Sequence, residues 1–566
     1  MRLSILAVLP LLCLQACAPD TAPSVTELAS QRPDASFGPL YRSHIGDADL
    51  PPGESRSLLD LWLAEQGAIP FPFDQFLQAL AREDRESRLP RTVLIPDGRS
   101  LLKADADFER PRVVVATDMR PPEGALLPAD FRGRMFLGFT EGANEIEAIS
   151  YNPAAGRYEF QLITDYCEGC NPRLVYAKRA ICLTCHQGAV PIFPVRPWEE
   201  TNAQPDVAAA IAAARSSPYL GLPHRVPLEQ PEALDNLTNQ AAVLVATQHA
   251  WLDGCGSGRE GAACRRALLR HALAWLLNPA ALDQDMAALT QAQSPQWPEQ
   301  GIPVADNDLA SRNPFDSPLY QDSFWGQLRH LLWGSAPRQR TGDKLQDFDN
   351  LPPLPAEFDP LSLRPPSSWM RAGQPDAALG VALLFTPADK ALLEKAFAYR
   401  SEALLTAVDA LPQSFFDPAP LRRDSVLQAL LSGLEQASPR FRFADLGPLS
   451  APILEGEPPL ELAADSPLQP FAQYCFACHR GNPAQRLNFL AGADEDEVLR
   501  NLREVQSISE VLDWERYLGT RKEGQLMPPA DSWQRRALEE SLQELPEGRE
   551  NPLEQMRAQV PSLFDF

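Results

Sequence analysis

The segment Tyr474-Cys475-Phe476-Ala477-Cys478-His479 contains two cysteines three positions apart, followed directly by a histidine. The same CxxCH spacing recurs in Ile181-Cys182-Leu183-Thr184-Cys185-His186, which we call the first motif; the C-terminal copy is the second motif. Two thiols at this spacing can bond to the two vinyl groups of one heme while the adjacent imidazole ligates its iron. The alternatives are a zinc site and a CxxC thiol pair beside a chance histidine. The motifs predict two covalently attached c-type hemes, on Cys182, Cys185 and His186 and on Cys475, Cys478 and His479.

The sequence after the second motif supplies a candidate for the opposite iron ligand. A helical stretch at 495–505 is followed by Leu526-Met527-Pro528-Pro529. Residues from about 466 to 545 thereby resemble a class I cytochrome c domain, and the resemblance implies Met527 as the distal ligand. The prolines hold the loop extended, so that the thioether is presented without costly ordering. The alternative is Met527 as a core residue. One departure from the small cytochromes is that the aromatic segment 511–518 precedes the methionine.

The first motif has different surroundings. It follows a β-rich region at 93–163, in which alternating and β-branched runs predict strands at 112–117, 134–139, 146–151 and 158–163. The segment 152–156, Asn-Pro-Ala-Ala-Gly, is typical of a hairpin turn. This part of the chain is therefore not expected to be an all-helical cytochrome.

No Met-Pro-Pro segment follows the first motif, so its distal ligand has several candidates: His224, His249, His271, His330 and Met286. Helices predicted at 237–252 and 264–277 flank a glycine-rich link with Cys255 and Cys264. A bridge there would make them an antiparallel pair. At about 1.5 Å rise per residue, His249 and His271 would then lie level on neighbouring helices. They are the leading candidates; the alternative is that both pack or face solvent.

The remaining cysteines have structural interpretations. Cys167 with Cys170 and Cys255 with Cys264 form short-range pairs, which in an oxidising compartment predict two local disulfides. Asn171 follows Cys170, so this CxxC pair lacks the histidine of a heme motif. A redox-active dithiol at Cys167 and Cys170 is the alternative interpretation.

The N-terminal residues predict export. Arg2, an apolar run and Leu14-Gln15-Ala16-Cys17 have the order of a signal peptide at 1–16, and the last four residues resemble the lipobox of bacterial lipoproteins. Cys17 would be lipidated, with 17–37 as a flexible tether, and Ala18 favours the outer membrane. Ordinary signal peptidase cleavage is the alternative. Either route predicts an extracytoplasmic protein, on the periplasmic side of the membrane.

The charge of the chain bears on its partners. The formal net charge is −24, which argues against nucleic acid as a ligand and suits a basic redox partner. Solubility explains the same charge equally well.

The patterns together predict a multi-domain, mainly α protein with a β-rich region, hence of the α+β class. Proline-rich stretches place the boundaries. We expect a first heme domain at 38–350, a Pro-rich and helical connector at 351–465, and a cytochrome c-like helical domain at 466–566.

Two functions agree with these features. The first is an electron carrier with two six-coordinate hemes. The second is a diheme peroxidase or oxidase, in which the His479/Met527 heme feeds an open heme at His186. In having two differently ligated hemes on one chain, the predicted protein resembles the bacterial diheme cytochrome c peroxidases. It departs from that family in the wider spacing of its motifs and in the β-rich insert. Heme ligation decides between the two functions, and the sequence favours the carrier.

Overall fold

A computed structural model describes most of residues 50–309, 364–432 and 460–560. Its longer internal gaps are 84–90, 97–105, 118–133 and 481–487. The predicted signal peptide, Cys17, the tether and His330 lie outside the described residues.

The described chain begins with two helices, α1 (Leu58–Gln66) and α2 (Phe73–Glu83). Ser57 caps α1 by accepting a hydrogen bond from the Asp60 amide. Gly67 ends α1 in the left-handed conformation, with φ of 70°. The sequence has a helical pattern over 58–85, and the structure forms two separate helices there because the first ends at Gly67.

A six-stranded antiparallel sheet follows, with its strands in sequence order. The strands are β1 (Arg91–Ile95), β2 (Arg112–Thr117), β3 (Met135–Phe139), β4 (Ile146–Asn152), β5 (Arg157–Thr164) and β6 (Arg173–Tyr176). Tyr151 pairs with Tyr158 across the hairpin formed by β4 and β5. The four predicted strands and the hairpin are confirmed, and β1 and β6 extend the sheet on either side.

Both faces of the sheet are covered, and β2 and β3 are near-continuous apolar runs that are buried along almost their whole length. One face packs Val113, Val115 and Leu137 against α1 and α2. The other face packs Val114, Phe136 and Tyr151 against helices from later in the chain. The sheet therefore forms the middle layer of this part of the molecule.

Short elements and two long helices come next. They are α3 (Arg179–Cys182), β7 (Phe193–Pro194), α4 (Pro205–Ala214), α5 (Glu229–His249), α6 (Gly258–Leu277), α7 (Met286–Gln293), β8 (Ile302–Val304) and β9 (Asp308–Leu309). A π-helical turn, Ala250–Gly254, continues α5. Parallel pairing of β7 with β9 brings residues after the first motif beside residues more than a hundred positions later.

Residues 364–432 pack as part of this same body. Their elements are β10 (Ser368–Met370), α8 (Asp376–Ala382), α9 (Pro387–Ala396), α10 (Ser401–Ala410) and α11 (Arg423–Leu431). Strand β10 pairs with β8, and α8 and α10 pack on α6. Met370, Val381 and Leu427 lie in one core with Leu244 and Leu268. Residues 364–432 of the expected connector thus share the core of the first body.

The C-terminal elements form a separate apolar core. They are α12 (Gln469–Tyr474), α13 (Phe476–His479), α14 (Glu495–Glu504), α15 (Ile508–Val511), α16 (Trp514–Tyr517), α17 (Trp533–Gln543) and α18 (Pro552–Arg557). Helix α12 packs against both α17 and α18. All residues of this core come from 460–560. The protein is thus of the α+β class.

In the portions of the chain that the structure describes, no helix combines the length and apolarity of a bilayer-spanning segment.

Candidate functional sites

The first motif folds back onto one face of the sheet. Strand β6 leads into α3, which ends at Cys182. Cys182 and Leu183 pack on a small apolar patch formed by Phe160, Leu162, Val175 and Ala177. The cysteine side of the motif is therefore next to apolar strand residues.

His186 has a fixed orientation. Its Nδ1–H donates to the Val190 carbonyl over 2.9 Å, and its ring centroid lies 5.5 Å from that of Phe160. Gly188, with φ of 72°, allows the tight turn that returns the carbonyl to the imidazole. Engagement of Nδ1 defines the tautomer and leaves Nε2 as the nitrogen that could ligate a metal, an arrangement typical of ligating histidines.

Desolvation lowers the pKa of His186 to about 4, with positive charge on Arg364 as a further cause. The imidazole is thus neutral at pH 7, the form that binds metal ions.

Arginines secure the loop that contains the first motif. Arg364 donates to the Cys185 carbonyl over 2.5 Å and to the Asp306 carbonyl over 3.2 Å, and its backbone amide donates to Gln187 Oε1. Arg179 donates to the Tyr158 carbonyl over 2.6 Å and lies 5.2 Å from the Phe160 ring centroid. The loop is held both by β5 and by a residue 179 positions beyond Cys185.

The two leading candidates for the distal ligand are both buried. His249 Nδ1–H donates to Asp253 Oδ2 over 2.9 Å within the π-helical turn. His271 Nδ1–H donates to the Ala267 carbonyl of its own helix over 2.7 Å. Each imidazole therefore engages Nδ1 as a hydrogen-bond donor, as His186 does.

The predicted pairing of the helices that contain these histidines needs correction. Helix α6 packs mainly on α7, α8 and α10, and α8 packs against both α5 and α6. Helices α8 and α5 come closest at Gly380 of α8, where an added Cβ would collide with Thr247 Oγ1 of α5. Because α8 takes up this surface, α5 and α6 are not the side-by-side pair expected, and the level placement of His249 and His271 loses its basis.

The other described candidates lie elsewhere. His224 is in a loop, where its Nε2–H donates to the Ser217 carbonyl over 2.9 Å. Met286 begins α7. The structure does not bring either into contact with the first motif through any interaction seen in the described residues.

The second motif spans the junction between α12 and α13. Desolvation raises the pKa of the Cys475 thiol to about 12, with the neighbouring Cys478 as a further cause. Met556 Sδ lies 3.9 Å from Cys475 Sγ and is fully buried. The ring centroid of His479 lies 4.4 Å from that of Phe489. These apolar surroundings suit uncharged thioether sulfurs.

Met527 lies in a loop held from two directions. The Met527 backbone amide donates to the Val511 carbonyl over 2.9 Å, and Trp514 Nε1–H donates to the Met527 carbonyl over 2.9 Å. Arg535 lies over the Trp514 ring, 3.4 Å from the centroid, and donates to the Pro528 carbonyl over 3.4 Å. The aromatic segment before the methionine therefore packs beneath this loop.

The structure places the cysteines of both predicted pairs at disulfide distance. Cys255 and Cys264 have Cα atoms 5.4 Å apart and are buried, joining the end of the π-helical turn to α6. Cys167 and Cys170 have Cα atoms 5.2 Å apart and lie between β5 and β6, where Cys170 is exposed.

Sequence reasoning missed Arg364, Phe160 and Arg535. Phe160 could have been found from the strand pattern, because it alternates with Glu159 and Gln161 on β5. Arg364 and Arg535 act through contacts that local sequence does not encode.

Comparison of the chain with protein-family models, with curated proteins and with solved structures gave no match.

Proposed function

We propose that the chain is a membrane-anchored diheme c-type cytochrome that carries electrons on the periplasmic side of a bacterial membrane. The observation that carries the proposal is the orientation of His186 in the first motif. Its Nδ1–H is bonded to the Val190 carbonyl, and its ring lies beside Phe160, in the apolar patch that Cys182 also contacts. This arrangement fits a heme bound through Cys182, Cys185 and the His186 imidazole.

The second motif supports a second heme, in a C-terminal domain like those of class I cytochromes c. Cys475, Cys478 and His479 would hold it, with Met527 as its distal ligand. Packing of α12 on α17 and α18 encloses the motif in apolar side chains. A thioether ligand favours reduced iron and gives a higher potential than a second imidazole.

The residues of the chain would orient and shield the hemes. Heme iron, when bound, supplies one-electron transfer. The Val190 carbonyl holds one imidazole tautomer, and the patch at Phe160 excludes water from one side. The loop held by Trp514 presents a soft sulfur ligand. His249 or His271 would complete the first site.

Attachment to the membrane would be through lipid on Cys17, at the outer membrane, and the electron partner would be a basic periplasmic protein. Both features follow from the sequence, through the lipobox-like segment and the net charge of −24. Cys17→Ser should release the exported protein into the soluble periplasmic fraction, and unchanged membrane association would contradict the anchor.

The spectrum of the ferric, purified protein tests the carrier function. Two six-coordinate hemes should give only low-spin signals, no rapid binding of cyanide or peroxide at the first iron, and reversible two-step reduction by an external cytochrome. A high-spin signal with peroxide turnover that His186→Ala abolishes would reject the carrier and favour the diheme peroxidase.

A further inference from the structure

The loop containing Met527 is supported by a stack of side chains from two helices. Trp514 of α16 is buried, and its Nε1–H donates to the Met527 carbonyl over 2.9 Å. Arg535 of α17, only 1% exposed, covers the other part of the indole with its guanidinium 3.4 Å from the ring centroid. Helices α16 and α17 are thus joined directly beneath the loop.

Arg535 is itself held in place. Its Nε–H donates to Glu539 Oε1 over 2.7 Å, one helical turn further along α17. Its Nη1–H also reaches the Pro528 carbonyl, over 3.4 Å. A planar guanidinium can form such a fork and stack on an indole at once, which a lysine ammonium cannot reproduce. A desolvated cation also gives the stronger class of cation–π contact.

We infer that Arg535 is a positioning residue for Met527: it holds Trp514 in the orientation that keeps the loop closed over the second heme. This inference rests on the proposed function, since it takes Met527 as an iron ligand. Because Glu539 compensates the charge of Arg535, the effect is one of geometry. Loss of the guanidinium should free the indole, weaken the bond to the Met527 carbonyl and let the sulfur leave the iron more often.

Cyanide binding to the ferric full-length protein measures how often the loop opens. Cyanide can replace the methionine only when the sulfur has left, and the loss of the red charge-transfer band of a His/Met heme reports this replacement. A first heme with two histidine ligands does not contribute to that band. Arg535→Leu should raise the apparent cyanide affinity by at least about tenfold, the factor equivalent to ~1.4 kcal/mol. Arg535→Lys should give an intermediate increase.

Arg516→Leu is the matched control. Arg516 also lies over an aromatic ring, 5.3 Å from the Tyr517 centroid, but it is exposed and belongs to the same short helix as Trp514. Its removal should change the cyanide affinity by less than about twofold. Heme content and far-UV circular dichroism should be the same in all variants.

Combination with Trp514→Phe tests whether Arg535 acts through the indole. The double variant should show less than the product of the two single effects, because both changes remove parts of one support. Wild-type affinity in Arg535→Leu, or fully multiplicative effects, would overturn the inference. If Arg535→Leu does not fold, wild-type affinity in both Arg535→Lys and Trp514→Phe would overturn it equally. Absence of the band from the wild-type protein would instead refute Met527 ligation, and with it the function of the second site.

Discussion

The two CxxCH motifs have the same three functional residues but are built into different kinds of structure. The first lies against a β-sheet, where its loop is secured by Arg364, 179 residues beyond Cys185. The second lies in a helical unit whose core comes entirely from residues 460–560. A motif inside a small unit has its supporting residues nearby in sequence, whereas a motif on a sheet face draws them from the whole fold.

This difference explains why the sequence proposes a single distal ligand for the second motif and several candidates for the first. Met527 follows the second motif within the same helical unit, and its loop contacts Val511 and Trp514 of that unit. The leading candidates for the first motif, His249 and His271, lie on α5 and α6, and both helices pack against α8. A site whose residues come from distant segments therefore cannot be predicted from residue spacing alone.

Removal of one pair of attachment cysteines should have the largest effect. Cys182→Ala with Cys185→Ala, or Cys475→Ala with Cys478→Ala, should each leave one covalently bound heme, because each motif holds its own. Heme content of the denatured protein measures this. The Cys167→Ala, Cys170→Ala variant is the control: this CxxC pair lacks the histidine and should retain both hemes. If the control lost as much heme as the other two variants, the CxxCH motifs could not be distinguished from the Cys167 and Cys170 pair as heme attachment sites.

Replacement of the distal ligand should separate the two sites next. Under the carrier function, either His249→Ala or His271→Ala should convert one low-spin heme to high-spin, since the first iron loses a strong ligand. Electron paramagnetic resonance of the ferric protein detects the change. Low-spin signals in both variants would show that neither is the ligand and make His330 or a non-histidine group the next candidate.

Met527→Leu should alter only the second heme. Loss of the thioether should remove the red charge-transfer band and lower that heme's potential by on the order of 0.1 V, a fraction of the ~0.8 V range that axial ligands cover. Met556→Leu is the control, because Met556 contacts Cys475 but is a core residue of similar volume. If the band survived Met527→Leu and disappeared with Met556→Leu, Met556 would be the iron ligand and Met527 the core residue.

Removal of the two cysteine pairs should differ least in effect, and the difference should appear in the free energy of unfolding. Cross-linking entropy predicts that replacing Cys255 and Cys264 by serine lowers the free energy of unfolding by about 3 kcal/mol, and replacing Cys167 and Cys170 by about 2 kcal/mol. Sequence separations of 9 and 3 residues account for the difference. Denaturant titration measures both. A larger loss at Cys167 and Cys170 would contradict the entropic explanation.

The sequence predicts local structure well where one pattern and one turn decide it. Strands β2 to β5 and their hairpin follow from alternation and from Asn152 to Gly156. The sequence does not predict where a helix is interrupted when no glycine or proline marks the interruption. Within the connector, the residue pattern over 388–411 predicts one continuous helix, but the structure interrupts it at Ala398 and Tyr399, with φ of 52° and 58°. Neither residue type signals the left-handed conformation.

The candidate sites show the same limit. The triads proposed to bind heme, and Met527 as a proposed ligand, could be named because each is part of a short motif with its own chemistry. The position of α8 against α5 and α6 could not be predicted, because the contact of Gly380 with Thr247 joins residues 133 positions apart (380 minus 247). Support by Arg364 and Arg535 is equally a property of the folded chain.

The mass of the mature, denatured protein tests the central claim most directly. Thioether linkage at both motifs predicts a polypeptide heavier than the bare chain by two hemes, with neither heme released by acid extraction. A mass equal to that of the bare chain, or complete release of heme by acid, would contradict the account.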